Sequence, residues 1–214
     1  MKAFVFDLDG TLVNSLDDIA DSANYALNTL GYPGHPPEAY KKFIGDGVNA
    51  LLMRALPEAS RTMEKALELK ALYGPYYLAH SLDKTRPYPG IVETLNHLKD
   101  KGFRLGVVSN KPDNQTKHIL SVLFPAGYFH AIAGNQEGYP PKPDPALTLK
   151  VMALMEAKPE SCYFVGDSGV DMITARASGA AGIGVLWGFR PLSELSENGA
   201  VKIISHPGEL LTLV

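Results

Sequence analysis

The sequence predicts an α/β protein with a doubly wound parallel sheet, interrupted early by an α-helical insertion. Short apolar runs alternate with segments of helical periodicity along most of the chain, which is typical of strands and helices in turn. The apolar runs contain almost no polar residue, as expected for parallel strands that are buried on both faces. Residues 15–85 break the alternation because they carry helical periodicity alone. We therefore expect an α/β core formed by residues 1–14 and 86–214, with an inserted helical domain at 15–85.

Six apolar runs are the candidate strands, and each ends in a polar or glycine-rich turn. Cys162 adjoins the fourth run, so we interpret it as a buried strand residue rather than a nucleophile. It is the one cysteine of the chain, and an internal disulfide is therefore excluded. In chain order the runs are 3–6, 105–108, 131–133, 163–165, 183–186 and 201–204.

Helices are predicted wherever apolar residues recur every three or four positions. The later strands are separated by such segments at 91–101, 144–156 and 171–178. The insertion has three more, which run from Ile19 to Leu30, over 48–56 and from Met63 to Tyr76. Glycine- and proline-rich turns separate them.

Composition and charge exclude several classes of function. The 20 Lys+Arg residues nearly balance the 23 Asp+Glu residues, whereas proteins that bind nucleic acid or anionic membranes usually carry a basic face. No apolar run approaches the roughly 20 residues of a membrane span, and the N-terminal run is cut short by Asp7 before it could form a signal peptide. We expect a soluble, cytoplasmic protein whose main partner is neither nucleic acid nor an anionic membrane.

The first apolar run ends in two carboxylates, Asp7 and Asp9, which are separated by one residue. Residues i and i+2 of a strand point the same way, and open α/β sheets bind their ligands beyond the carboxyl ends of the strands. The two acids should therefore converge on one spot, with Gly10 freeing the backbone behind them. A simple polar turn would not explain paired acids after a buried strand.

Three further segments carry polar side chains towards the same edge. Ser109 and Asn110 follow the second run, although an ordinary turn would explain them equally well. Lys142 lies between two prolines, which restrict its backbone; a solvated lysine in a loop is the alternative. Asp167 and Asp171 follow the fourth run, where helix capping or N-terminal charge stabilisation is the alternative.

Four carboxylates at one edge indicate a bound cation. Two like charges ~4 Å apart repel by roughly 4 kcal/mol at an intermediate effective dielectric, so the cluster needs a counter-charge. Ligation by oxygen alone suits Mg²⁺. The six histidines are scattered without a His-x-x-x-His spacing, which argues against zinc.

In this order, the four segments resemble the haloacid dehalogenase superfamily of phosphohydrolases over essentially the whole chain. The Asp-x-Asp-Gly-Thr start at residues 7–11 is specific, and the Gly-Asp-x-x-x-Asp end at 166–171 is moderately so. The resemblance implies a Rossmann-like core, and it identifies the 15–85 insertion as an α-helical cap. It also implies Mg²⁺-dependent hydrolysis of a small phosphorylated metabolite through an aspartyl phosphate.

The family pattern implies a role for each matching residue. Its catalytic roles are Asp7 as the nucleophile, Asp9 as the general acid and base, Ser109 as a ligand of the phosphoryl group and Lys142 as its counter-charge. Mg²⁺ would be bound by the Asp7 carboxylate, the Asp9 backbone carbonyl and Asp167, with Asp171 supporting the metal.

Within the superfamily, the chain is most similar to phosphoglycolate phosphatases, which makes 2-phosphoglycolate the expected substrate. Segments 43–56 and 184–190 carry this likeness. In the first, a Gly-x-Gly loop made by Gly45 and Gly47 would face the active site and bind substrate; a plain helix–helix turn is the alternative. In the second, Trp187 could equally be a packing residue.

Two core residues, Thr11 and Asn110, are also expected to bind substrate. Arg54 and Arg190 could pair with a substrate carboxylate or form surface salt bridges. Asn14 departs from the family pattern, which usually has aspartate there. Since this position lies at the entry to the cap, the change bears on cap contacts rather than on the chemistry.

Other functions stay open. A sugar-phosphate phosphatase or a pyrophosphatase would use the same residues, whereas the Gly-x-Ser-Arg cap pattern of β-phosphoglucomutases is missing. A 2-haloacid dehalogenase has no use for Asp9, Asp167 and a metal. A non-catalytic binding module should have lost some of the acids, and a nucleotide-binding Rossmann domain should carry Gly-x-Gly-x-x-Gly after its first strand. Cap motion about 13–15 and 85–90 is a further hypothesis.

Overall fold

The computed structural model describes residues 2–214, and it shows strands and helices alternating along most of that range. In chain order these are β1 (Ala3–Phe6), β2 (Val13–Asn14), α1 (Leu16–Thr29), α2 (Pro37–Tyr40), α3 (Val48–Ala55), α4 (Met63–His80), β3 (Arg86–Pro87), α5 (Ile91–Asp100), β4 (Arg104–Pro112), α6 (Asp113–Leu123), β5 (Ala131–Asn135), α7 (Ala146–Leu154), β6 (Cys162–Gly166), α8 (Gly169–Ser178), β7 (Ala181–Val185), α9 (Leu192–Glu197) and β8 (Lys202–Ile204).

The chain divides into two compact units. One combines the N-terminal segment up to Val13 with Pro87–Val214, and the other is Asn14–Arg86. Among the described residues, no helix is long and apolar enough to cross a membrane.

The first unit is built on a six-stranded sheet in the order β5-β4-β1-β6-β7-β8. Every neighbouring pair in it is parallel, which confirms the predicted doubly wound fold. The chain builds outward from β1 to β4 and β5, and then resumes on the other side of β1 with β6. This reversal leaves a crevice at the carboxyl ends of the central strands, where open α/β sheets bind their ligands.

The central strands are buried on both faces. Phe4, Val5 and Phe6 are 0% exposed, as the apolar run predicted. Phe6 pairs with Val107 of β4 on one side and with Val165 of β6 on the other. The three strands are therefore in register, and the residues that follow each of them emerge at the same level of the sheet edge.

Strand β4 is longer than its apolar run indicates. The sequence places its end near Val108, but the strand continues to Pro112. Its pairing with β5 shifts between Val108 and Pro112, and such an irregularity re-aims side chains near functional sites. Ser109 and Asn110 are consequently strand residues rather than members of a following turn.

The second unit is helical. Helix α4 packs against α1 and α3, and the rings of Tyr25 and Tyr76 stack with their centroids 4.0 Å apart. Asp18 of α1 is 2% exposed, and its Oδ2 accepts hydrogen bonds from the Thr85 backbone N–H at 2.8 Å and hydroxyl at 2.6 Å. These bonds hold the last residues of the unit against its first helix.

Candidate active site

The carboxyl edge of the sheet gathers the polar residues that the sequence singles out in the first unit. Asp7 follows β1, Asp167 follows β6, Ser109 lies in β4, and Lys142 precedes α7. The six charged or hydroxyl residues predicted to form the catalytic and metal sites are each at most 9% exposed. They are Asp7, Asp9, Ser109, Lys142, Asp167 and Asp171. This edge is therefore a desolvated cluster of charges, which a structural turn would not require.

Lys142 connects two of the acids. Its Nζ lies 2.7 Å from Oδ1 of Asp7 and 2.7 Å from Oδ1 of Asp171. The loop that carries it is fixed by Asn110, whose Oδ1 accepts the Lys142 backbone N–H at 2.8 Å and whose Nδ2 donates to the Lys142 carbonyl at 3.0 Å. Asn110 thus sets the place of the lysine in this structure.

Asp171 belongs to the start of α8. The backbone N–H of Ser168 at 3.1 Å and its hydroxyl at 2.7 Å both donate to Oδ2 of Asp171, and Ser168 Oγ accepts the Asp171 N–H at 3.3 Å. This is a capping box. Both Asp171 oxygens are engaged by protein groups, so the capping alternative is realised together with the contact to Lys142.

The loop after β7 packs against the residues that follow β1. Oδ2 of Asp167 accepts the backbone N–H of Phe189 at 2.7 Å, and Thr11 Oγ1 lies 3.5 Å from its Oδ1. The indole N–H of Trp187 donates to the carbonyl of Thr11 at 3.0 Å. Between these contacts Gly188 leaves no room for a side chain, since a Cβ there would lie 2.3 Å from Cβ of Asp167. Segment 184–190 therefore orients Asp167.

A second buried lysine was missed by the sequence reasoning. Lys111 Nζ lies 3.0 Å from Oδ1 and 2.8 Å from Oδ2 of Asp9, and the two side chains are only 5% and 10% exposed. The signal was a cation directly after Ser109 and Asn110. The apolar pattern places the end of the strand at Val108, so it does not indicate that Lys111 lies in the same strand.

Burial and crowding shift the proton affinities of the cluster. Burial raises the pKa of Asp7 to about 7, with Lys142 opposing the shift and Asp171 adding to it. Burial, reinforced by Asp171 and Asp7, also raises the pKa of Asp167 well above its usual value. Burial alone would lower the pKa of Lys142, but the charges of Asp171 and Asp7 outweigh it and raise that pKa.

The donor set fits a hard divalent cation. Carboxylate oxygens of Asp7, Asp167 and Asp171 all lie within 4.8 Å of one another. Burial raises the pKa of Asp7 and of Asp167, and a bound cation would favour their ionised forms. Ligands that are all oxygen suit Mg²⁺ rather than a thiophilic metal. Because Asp171 is committed to Lys142 and Ser168, the arrangement favours Asp7 and Asp167 as direct ligands.

The cap residues named from the sequence lie in the second unit. Gly45 has φ 124° and Gly47, which directly precedes α3, has φ 84°, a conformation that favours glycine. Arg54 makes a salt bridge with Asp46 and donates to the Phe43 carbonyl at 3.0 Å. The arginine thus braces the Gly-x-Gly loop inside its own unit.

The remaining candidate residues make contacts that stabilise the fold. Arg190 Nε lies 3.4 Å from Glu194 Oε1, so both arginines form salt bridges here. Cys162 is a buried residue of β6, as predicted, and burial raises the pKa of its thiol to about 11. Asn14 Oδ1 accepts the Leu16 backbone N–H at 3.3 Å at the start of α1.

Comparison with known proteins places this geometry in a family. Residues 4–185 match the family described as haloacid dehalogenase-like hydrolase. A phosphoglycolate phosphatase of Aquifex aeolicus is 36% identical over 100% of this chain and 97% of its own length. One of Haemophilus influenzae is 36% identical over 100% of this chain and 98% of its own length. The crystal structure of a "predicted phosphoglycolate phosphatase" from Haemophilus somnus superposes with a TM-score of 0.91 at 32% identity, covering 100% of this chain and 97% of the other.

Proposed function

Because the chain belongs to the haloacid dehalogenase-like hydrolase family, we propose that it is a Mg²⁺-dependent phosphomonoesterase that uses Asp7 as its nucleophile and prefers 2-phosphoglycolate. The observation that carries the proposal is Lys142, which contacts Asp7 and Asp171 at 2.7 Å in a buried cluster that also contains Asp167. Neither a structural turn nor a nucleotide-binding domain needs that arrangement.

Asp7 begins the reaction. Its carboxylate attacks the phosphorus, the bond from phosphorus to the ester oxygen breaks, and an aspartyl phosphate forms. Even with Lys142 beside it, burial raises the pKa of this carboxyl to about 7, so full ionisation at neutral pH needs a further cation. Lys142 also offsets the repulsion between the carboxylate and the incoming phosphate, while Ser109, buried in β4, offers a hydroxyl to a phosphoryl oxygen.

Asp9 moves the protons. It donates a proton to the ester oxygen as the alcohol leaves, and it then accepts a proton from the water that attacks the aspartyl phosphate. The products are the alcohol and inorganic phosphate, with Asp7 and Asp9 restored. Thr11 and Asn110 complete the pocket lining proposed for the core, and the Gly45–Gly47 loop is proposed to select the leaving group from the cap.

The metal would be bound by the carboxylates of Asp7 and Asp167 and the backbone carbonyl of Asp9, with Asp171 supporting it. When bound, it supplies Lewis-acid polarisation of the phosphoryl group and charge that offsets the acids. The preference for 2-phosphoglycolate is supported by the full-length relatives, which carry that activity in their names at 36% identity.

Phosphate release tests the proposal. We expect release from 2-phosphoglycolate with Mg²⁺, none after EDTA, and recovery when Mg²⁺ is returned in excess. Sugar phosphates, nucleotides and pyrophosphate are assayed separately as alternative substrates. We expect a kcat/KM at least roughly tenfold lower for each, which is about 1.4 kcal/mol of discrimination. Equal rates across all of them would retain the mechanism and remove the preference; no release from any would contradict the proposed activity.

A further inference from the structure

Lys111 is the buried cation whose contact the proposed chemistry does not yet explain. Its Nζ contacts both carboxylate oxygens of Asp9, at 3.0 and 2.8 Å. Lysine and aspartate side chains are almost never fully buried unless they are paired, and here the side chains are 5% and 10% exposed. A pair this desolvated loses hydration on both partners, so its geometry is expected to have a use.

The backbone of Lys111 is fixed on several sides. Its N–H donates to Ser109 Oγ at 3.2 Å, and its carbonyl accepts from Thr116 Oγ1 at 3.3 Å. Gly134 of β5 allows the strands to approach closely here, because a Cβ at that position would lie 2.6 Å from the Lys111 carbonyl oxygen. The lysine therefore projects from a rigid strand rather than from a loop.

Two lysines contact different acids of the site. Lys142 is bonded to Asp7 and Asp171, and Lys111 is bonded to Asp9. Within residues 2–214, the group of carboxylates that could share a cation is formed by Asp7, Asp167 and Asp171. Asp9 contributes no carboxylate oxygen to that group, although it is only two residues from Asp7.

This division matters for the reaction. A carboxylate whose oxygens bind a metal ion cannot also exchange protons with the substrate and with water. An acid and base must further be within hydrogen-bond reach of the proton that it transfers. A cation on Asp9 that is not the metal would keep its carboxylate out of the metal site and in one orientation.

We propose that Lys111 is a positioning residue that holds the Asp9 carboxylate apart from the metal-binding acids and directs it towards the leaving group. The inference rests on the proposed function only in the role that it gives to Asp9. It assigns Lys111 no contact with the substrate.

Leaving-group dependence tests the proposal. In Lys111→Met we expect kcat/KM to fall roughly 10²-fold for 2-phosphoglycolate and for ethyl phosphate, since both alkoxides need a proton from Asp9. For p-nitrophenyl phosphate, whose phenolate leaves without protonation, we expect a change of less than about threefold. Lys111→Arg should restore most of the loss because a guanidinium can contact both carboxylate oxygens.

Other patterns would overturn the proposal. A loss confined to 2-phosphoglycolate would make Lys111 a ligand of the substrate carboxylate. An equal loss for all three esters, or no loss, would show that Lys111 does not act through Asp9. Lys117→Met is the matched control: it removes another lysine–aspartate pair, with Asp113 at 2.7 Å, whose lysine side chain is 55% exposed, and it should leave all three esters unchanged.

A structural measurement separates this inference from the proposed function. Crystal structures of wild type and Lys111→Met, each with Mg²⁺, should show the Asp9 carboxylate in a different position or bound to the metal in the variant. An Asp9 that keeps its place without Lys111 would overturn the inference, even if the enzyme is fully active. If the methionine variant does not fold, Lys111→Gln undergoes the same two measurements. Wild-type protein inactive on every ester would contradict the proposed function alone.

Discussion

Asp7 combines two requirements that oppose each other in a single carboxylate. The proposed attack on phosphorus needs its ionised form, whereas burial, only partly opposed by Lys142, raises its pKa to about 7. Lys142 at 2.7 Å favours the ionised form, and a bound divalent cation would favour it further. The identity of this side chain therefore matters more than its size.

We expect Asp7→Asn to lower kcat for 2-phosphoglycolate by roughly 10⁴-fold or more, because an amide of nearly the same shape has no charge and is a poor nucleophile. Phosphate release under saturating substrate and Mg²⁺ is the measurement. Asp113→Asn, which changes an aspartate of α6 paired with Lys117, is the control. A purified Asp7→Asn protein with near-normal turnover would refute the nucleophile assignment.

Gly188 is required because there is no room for a side chain at its position. A Cβ there would lie 2.3 Å from Cβ of Asp167 and 2.4 Å from the Gly10 carbonyl oxygen. We expect Gly188→Ala to weaken Mg²⁺ binding roughly 10- to 100-fold, as for other groups that orient a metal ligand, and to destabilise the fold by about 1–3 kcal/mol.

Titration calorimetry with Mg²⁺ and thermal unfolding measure the two effects of Gly188→Ala. Gly74→Ala is the matched control: nothing lies within 4 Å of a Cβ at that position of α4, and alanine favours a helix. Wild-type Mg²⁺ affinity in the Gly188 variant would show that the loop tolerates the side chain without moving Asp167.

Among the elements, β4 and the loop before α7 are joined by one side chain. Asn110 makes two hydrogen bonds to the backbone of Lys142, at residues 32 positions apart. Without the Asn110 side chain, the backbone N–H and C=O of Lys142 would both lose these hydrogen bonds. The position of Lys142 thus depends on a residue of another element.

We expect Asn110→Leu to destabilise the protein by about 2–4 kcal/mol, because the buried N–H and C=O of Lys142 would each lose a partner. The value of kcat should fall as well, since Lys142 would no longer be fixed beside Asp7. Urea denaturation and steady-state kinetics measure these effects, and exposed Asn114→Leu on α6 is the control. Stability equal to wild type would mean that the Lys142 loop is held by other contacts.

The elements also show which features the sequence reveals. Strands such as β1 are continuous apolar runs, so the local pattern suffices to find them. The role of Lys111 is not predicted from the sequence because the apolar pattern stops at Val108. The strand itself continues through polar residues to Pro112, which pairs with β5. The bonds from Asn110 to Lys142 and from Trp187 to Thr11 join distant parts of the chain, and no local pattern predicts such partners.

For the whole molecule, we expect the acidic cluster to make stability depend on the proposed metal ion. Asp167 is buried beside Asp171 and Asp7. Its burial and the negative charges of these two neighbours all raise its pKa. Without a cation, the ionised cluster opposes folding through repulsion and desolvation. With one, binding to the folded state adds about 2.7 kcal/mol when the free ion is at 100 times its Kd.

We therefore expect Asp167→Asn to unfold at a higher temperature than wild type in EDTA, and to lose most of the stabilisation that Mg²⁺ gives to wild type. Thermal unfolding with EDTA and over a Mg²⁺ series is the measurement, with Ca²⁺ as a second ion. An Asp167→Asn protein that Mg²⁺ stabilises as much as wild type would exclude this carboxylate as a main metal ligand.

Three consecutive residues of β4 have three different roles. Ser109 offers a hydroxyl, Asn110 fixes the Lys142 loop, and Lys111 contacts Asp9. Each is specified by its count from Val107, whose pairing with Phe6 fixes the register. Inserting one residue directly after Val107, or deleting Val108, would move all three side chains out of these positions at once. The length of this stretch is therefore as tightly constrained as the identity of its residues.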